Sequence, residues 1–237
     1  MPPRIAVLAS GRGSNLRALL DYLAEKGAAR GGDVVLVASD KADAGALELA
    51  RERKIEALDI GALSASDDAM LRLFAERGID LIVLAGYLRL IPAAVVRAYR
   101  GRMLNVHPAL LPAFGGAGMY GARVHRAVLE AGERLSGPTV HFVDEEYDRG
   151  SIIAQWPLPV LPADTPDTLA ARVLRAEHRL LPRAVDAVAS GRISLGDDGR
   201  VVGTLDPSDE RAWHTFINEL TSEDPTLAAT MDALFTR

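Results

Sequence analysis

Short runs of β-branched and aliphatic residues alternate with stretches of helical periodicity through most of this 237-residue chain, and that alternation leaves few folds open. Strands separated by helices run parallel, because a helical crossover brings the chain back to start the next strand from the same end of the sheet. Residues 5–9, 34–38, 81–85 and 103–106 read as strands, with a short one added at 55–59. Residues 15–25, 44–53, 66–77 and 92–99 read as the intervening helices, the last with Pro92 at a favourable first position. Beyond them the pattern predicts a helix at about 124–131, strands at 139–143 and 152–157, and a long helix from 166 to about 189. Thr165 is its N-cap and Pro182 its kink. A small hairpin over 193–202 turns at Asp198-Gly199.

The fold class that follows is α/β and Rossmann-like: a mostly parallel twisted sheet with helices on both faces, plus a helical C-terminal extension. Residues 1–203 form the main domain and 204–237 the extension. In the extension Trp213, Phe216, Ile217, Leu220, Leu227, Met231 and Leu234 fall at amphipathic spacing and are expected to pack on the domain's own surface.

Charge narrows the function classes. With 27 basic against 32 acidic residues, net −5, the chain has no general electrostatic attraction for nucleic acid or anionic membranes. It has no cysteine, hence no disulfide framework and no thiolate nucleophile, which fits a cytoplasmic protein. No stretch reaches the ~18 uncharged apolar residues of a membrane span, and the start carries no secretory-type segment. The partners this leaves are small molecules, with the chain itself a monomer or homodimer.

Two places carry chemistry. The first is the turn after the opening strand, Ser10-Gly11-Arg12-Gly13-Ser14-Asn15. Glycines between a strand and a helix let backbone N–H groups approach a ligand, and a helix N-terminus favours an anion, most often phosphate. A P-loop would need Gly-Lys-Ser/Thr at its end, which is missing, and a dinucleotide fingerprint would place a third glycine where Leu16 stands. Asp40, after the second strand, does imitate the ribose-binding acid of that fingerprint, so a nicotinamide enzyme and a ligand-free structural turn remain the alternatives.

The second is Asn105-Val106-His107-Pro108 at the end of an apolar strand, with Asp148 downstream in Asp144-Glu145-Glu146-Tyr147-Asp148-Arg149-Gly150. Residues two apart on a strand point the same way, so Asn105 and His107 can meet one substrate carbonyl. An amide donor, an imidazole that carries protons near neutral pH and a carboxylate to tune it suit transfer of an acyl fragment between two nitrogens without a covalent nucleophile. The histidines at 125, 141, 178 and 214 show no zinc spacing, and no metal is expected. A turn-forming His-Pro and Asp-x-Gly without chemistry is the plain alternative.

In order, Asn105-x-His107-Pro108-(x)2-Leu111-Pro112, His125-Arg126-Ala127, Gly137-Pro138-Thr139-Val140-His141-Phe142-Val143 and Asp148-x-Gly150 closely resemble the catalytic region of the folate-dependent formyltransferases. Ser10-Gly-x-Gly-Ser-Asn-Leu, Ser39-Asp40-Lys41-Ala42-Asp43-Ala44 and Leu84-Ala85-Gly86-Tyr87-x-Arg89 extend the resemblance, which covers about residues 4–190. It implies a formyl transfer from 10-formyltetrahydrofolate, as co-substrate, to the amine of glycinamide ribonucleotide in purine biosynthesis. Relatives that formylate methionyl-tRNA or hydrolyse formyltetrahydrofolate share the Asn-x-His and the Asp but lack this Gly-Ser-Asn turn.

By the same resemblance Asn105, His107 and Asp148 are catalytic. Gly11, Arg12, Gly13, Ser14 and Asn15 hold the phosphate end of the ribonucleotide, and Gly86 and Glu177 contact the same substrate. Leu88, Arg89, Leu90, Ile91, Asn105, Val143, Asp144, Glu145 and Asp148 line the folate pocket, with Asp148 raising the His107 pKa. Two departures stand out: residues 113–121 form a longer, glycine-rich loop over the site, and the 204–237 tail lies beyond the family core.

Overall fold

The computed structural model describes residues 1–62, 67–224 and 226–230. Strands and helices alternate as β1 (Arg4–Leu8), α1 (Ser14–Lys26), β2 (Asp33–Ser39), α2 (Gly45–Glu52), β3 (Glu56–Asp59), α3 (Asp67–Glu76), β4 (Leu81–Leu84), α4 (Ala93–Ala98) and β5 (Met103–His107). There follow α5 (Ala122–Glu130), β6 (Leu135–Ser136), β7 (Thr139–Phe142), β8 (Ile152–Gln155), β9 (Leu158–Pro159), α6 (Pro166–Ala189), β10 (Ser194–Leu195), β11 (Val201–Val202) and α7 (Pro207–Glu223).

The main sheet has seven strands in the order β3-β2-β1-β4-β5-β7-β8. The five strands from β3 to β5 pair parallel, and β7 and β8 close the edge antiparallel. Strands buried on both faces read as continuous aliphatic runs, as Arg4–Leu8 and Leu81–Leu84 do. On one face Ile5, Val7, Val83 and Leu104 pack against α1, α2, α5 and α6. On the other Ala6, Leu8, Ile82 and Met103 pack against α3 and α4. This alternation fixes the register, because a slip by one residue would exchange the two sets.

Element ends depart from expectation by one or two residues. Pro92 is the N-cap of α4 rather than its first residue, with an extended backbone (ψ 137°). The long helix α6 runs from Pro166 to Ala189 with Pro182 inside it, and Thr165 caps it through a reciprocal bond with Thr168. The first residue of the helix expected at 66–77 lies outside the described residues.

The tail is not a separate body. Asp206 caps α7 with a box closed by Asp209, and Phe216, Ile217, Leu220 and Leu227 enter the same cluster as α1 and α6. Met231 and Leu234 lie outside the described residues. The Phe216 ring stacks on Trp156 with centroids 6.1 Å apart, under the guanidinium of Arg179 at 4.8 Å. Arg175–Glu223 (2.7 Å) and Arg179–Glu219 (2.5 Å) run alongside. Exposed pairs of this kind contribute little, so the buried ring holds the tail. Phe216→Ala is expected to cost about 3 to 5 kcal/mol of global stability, measured by urea unfolding; a loss below about 1 kcal/mol would mean the tail is a detachable appendage.

Candidate active site

In open parallel sheets ligands sit beyond the carboxyl ends of the strands, where the strand order reverses. That place lies between β1 and β4 here. The Ser10 amide bonds the Gly86 carbonyl at 3.0 Å, tying the two strand ends together. The Ser10 hydroxyl donates to Asp40 at 2.5 Å and accepts from the Leu88 amide at 3.1 Å. A cavity of about 460 Å³ opens there, its wall including Asn15, Gly86, Leu88, Asn105, His107, Asp148 and Glu177. A narrower cleft of about 50 Å³ shares Asn105, Tyr147 and Asp148 with it and continues along Arg89, Leu90, Ile91, Val143 and Asp144.

The expected catalytic groups converge. On β5 the Asn105 amide nitrogen lies 3.3 Å from Asp148 Oδ1. His107, 2% exposed, places Nδ1 3.5 Å from Asp148 Oδ2. Its Nε2 bonds the Phe114 carbonyl at 2.8 Å, which a carbonyl permits only if Nε2 carries hydrogen. Nδ1 is therefore the nitrogen that takes up a proton, and it faces the carboxylate. Asp148 occupies the left-handed region (φ 58°), which aspartate tolerates better than most residues. Gly150 fits because a Cβ there would stand 1.8 Å from the Phe142 carbonyl oxygen.

The glycine-rich loop takes part directly. The Gly116 amide donates to Asp148 Oδ2 at 2.9 Å, and Phe114, also at positive φ, supplies the carbonyl that holds His107. A side chain at Gly115 would meet Asp148 Cβ at 3.0 Å.

The charge balance differs from expectation in one respect. Burial is the largest influence on His107 and lowers its pKa below the ordinary 6.5; the attraction of Asp148 acts in the expected upward direction but is outweighed. Burial also acts to raise Asp148, but the bond with His141, the charge of His107 and the Gly116 amide together hold it below the usual carboxylate range.

Two residues before the cavity-lining Asn15, Gly13 precedes α1 in the left-handed conformation (φ 81°), and a Cβ there would collide with Ala46 Cα at 2.8 Å. No side chain caps the first turn of α1. Asn15 Nδ2 donates to Glu177 Oε2 at 2.7 Å, and Asn15 Oδ1 is buried without a partner among the described residues. Burial pushes the Glu177 carboxyl up to about 7, partly offset by the Asn15 bond.

Some expected site residues lie elsewhere. Gly11, Arg12, Gly13 and Ser14 are not on the cavity wall, although they adjoin Asn15, which is. Glu145 is outside both the cavity and the cleft, accepting instead from Arg97 at 2.8 Å. Arg89 borders the cleft but lies 3.3 Å from the buried Asp40. Asp40 is thus engaged by Ser10 and Arg89, which removes the likeness to a ribose-binding acid.

A family profile described as formyl transferase matches residues 3–185. The chain belongs to the formyl transferase family. It is 46% identical over 204 residues to the chloroplastic phosphoribosylglycinamide formyltransferase of Arabidopsis thaliana, covering 83% of this chain and 68% of that protein. The crystal structure of glycinamide ribonucleotide transformylase 1 from Symbiobacterium toebii superposes with a TM-score of 0.77 at 41% identity, covering 86% of this chain and 95% of that one. A formyltetrahydrofolate deformylase from Pseudomonas syringae shares the fold, with a TM-score of 0.73 at 24% identity over 86% of this chain and 66% of its own.

Sequence reasoning missed His141, whose Nε2 lies 3.1 Å from Asn105 Nδ2 and 3.6 Å from Asp148 Oδ1. Its signal was the register: β7 sets His141 directly opposite Asn105, and cross-strand partners share a face. Tyr120, Tyr147 and His125 also line the cavity.

Two titrations test these environments. A carboxyl raised from 4.5 to about 7 binds more protons folded than unfolded, so its contribution to stability falls as pH rises between those values. Subtracting Glu177→Gln from the parent in urea unfolding at several pH values should give a difference that declines by up to about 1.4 kcal/mol per pH unit over that window and is flat above it. A pH-independent difference would mean an ordinary, ionised carboxylate. For His107, NMR titration should find a pKa below 6.5 that drops further in Asp148→Asn, because removing the negative charge disfavours the imidazolium. An unchanged value would confine Asp148 to a geometric role.

Proposed function

We propose that this chain transfers the formyl group of 10-formyltetrahydrofolate to the amine of 5'-phosphoribosylglycinamide in purine biosynthesis. The observation that carries the reading is the convergence of Asn105, His107 and Asp148 on a cavity that Asn15 and Glu177 also line. Donor chemistry and a nucleotide end thus share one space.

The nucleotide phosphate lies at the start of α1, where Gly13, Ser14 and Asn15 offer first-turn N–H groups that no side chain caps, with Gly11 and Arg12 beside them. Gly86 and Glu177 contact the ribosylglycinamide portion. A Glu177 carboxyl that holds its proton can donate as well as accept, which suits neutral hydroxyl groups. The folate enters along Leu88, Arg89, Leu90, Ile91, Val143 and Asp144, so that its formyl carbon faces Asn105.

The amine nitrogen attacks the formyl carbon, forming the new C–N bond and a tetrahedral oxyanion. Asn105 Nδ2 donates to that oxyanion, and the positive charge of protonated His107, whose two N–H groups are directed at the Phe114 carbonyl and at Asp148, stabilises it. The oxyanion is where preorganised donors and charges lower the barrier most. Asp148 stabilises the imidazolium and, directly or through water, helps carry a proton from the attacking ammonium to the folate nitrogen. The C–N bond to the folate then breaks, leaving formylated product and tetrahydrofolate. Both substrates are small molecules, and the scheme calls for neither nucleic acid, membrane nor metal.

Formyl release from 10-formyltetrahydrofolate should depend on 5'-phosphoribosylglycinamide and yield its formylated product. Release as formate without the acceptor would make the chain a hydrolase. Asn105→Ala, His107→Ala and Asp148→Ala, each checked for folding, should lower kcat by a factor on the order of 100 or more with smaller effects on KM, because they act on charge that develops in the transition state. Near-normal turnover by folded His107→Ala removes the mechanism.

A further inference from the structure

His125 has no role in the chemistry above, yet it stands in the same cavity. It sits on α5, is 4% exposed, and lines the wall together with His107, Asn15 and Glu177. Its Nδ1 is fully buried with no hydrogen-bond partner among the described residues, which leaves Nε2 as the nitrogen that faces the cavity. Leaving a buried polar atom unpaired costs on the order of 1–3 kcal/mol. A side chain that only filled space here could be apolar, like its neighbours Val124 and Val128.

We propose that His125 is a further substrate-binding residue, whose Nε2 makes a hydrogen bond to the uncharged ribosylglycinamide portion of the acceptor nucleotide. The inference rests on the function proposed above and adds a contact from a third wall: α1 supplies Asn15, α6 supplies Glu177, and α5 supplies this ring. Burial, reinforced by nearby His107, holds its pKa down at about 4. The ring therefore stays uncharged through the working pH range, with one donor and one acceptor nitrogen. A neutral imidazole has no charge to offer a phosphate, and a ring whose pKa is held at about 4 is a weak base. Its natural partners are a ribose hydroxyl or the glycinamide amide.

The test is steady-state kinetics and calorimetric binding of 5'-phosphoribosylglycinamide to the full-length parent, His125→Ala and His125→Gln. Loss of one neutral hydrogen bond corresponds to about a three- to tenfold weakening. In His125→Ala, KM and Kd for the nucleotide should rise by that factor, while KM for 10-formyltetrahydrofolate and the melting temperature stay near the parent values. His125→Gln, which places an amide nitrogen near the position of Nε2, should recover part of the loss. With the 2'-deoxyribosyl acceptor, equal binding by parent and His125→Ala assigns the contact to that hydroxyl, whereas a retained difference assigns it to the rest of the ribosylglycinamide. Nucleotide binding unchanged in both variants, or KM for both substrates rising in step with lost thermal stability, overturns the proposal and leaves the transferase reading intact. Absence of any formyl transfer to the nucleotide by the parent overturns that reading and this one with it.

Discussion

One part-buried carboxylate organises the carboxyl end of β5 and the segments around it. Asp148 meets Asn105, His107, His141 and the Gly116 amide within 3.6 Å, and a charge removed from water persists only with partners of this kind. The four partners come from three segments: β5 supplies two side chains, β7 one and the glycine-rich loop a backbone amide. Fixing the carboxylate therefore fixes the relative position of the three segments. The left-handed backbone at Asp148 and the close approach of Gly150 to the Phe142 carbonyl are what that placement requires of the chain.

The loop of residues 113–121 gains a specific meaning from this. The Phe114 carbonyl accepts from His107 Nε2 while the Gly116 amide donates to Asp148, so both side chains are held by one stretch of backbone. Glycines at 115 and 116 allow it to come that close: one would clash with Asp148 if it had a side chain, and the other has φ 104°. Helix α6 plays a comparable double part. Glu177 on one side borders the cavity, while another side packs against Phe216 of α7, with Arg175 and Arg179 pairing alongside. Helix α7 thus buttresses the helix that carries Glu177.

Much of this was legible in the sequence, for identifiable reasons. The parallel sheet announced itself through aliphatic runs at regular intervals, and the pair Asn105 and His107 through strand periodicity. Asp148 and Glu177 were reachable only by family resemblance, since nothing local tells a lone acid on a loop or helix from a solvated one. His141 was hidden because its role comes from an antiparallel pairing late in the sheet, and such register is set by tertiary contacts rather than local pattern. The direction of the His107 shift was misjudged because sequence shows the charged neighbour but not the depth of burial. Glu145 looked like its neighbour Asp144, yet Arg97, distant in sequence, draws it to the outer surface.

Sharing a fold with a deformylase frames what makes a transferase. The groups that stabilise a tetrahedral oxyanion serve attack by water as well as by an amine, so Asn105, His107 and Asp148 cannot by themselves choose the acceptor. Choice requires a second set of contacts that pays for bringing the amine to the formyl carbon. In the proposed function that set would be the first turn of α1, which no side chain among the described residues caps, and the Asn15–Glu177 pair that bridges α1 to α6 on the cavity wall. Asn15 donates to Glu177, and its own oxygen has no partner among the described residues, so in the proposed function each side chain would keep bonding capacity for a ligand while steadying the other. Under the proposed function, selectivity for the nucleotide would rest on two helices packed against each other, and reactivity on one strand end and its loop.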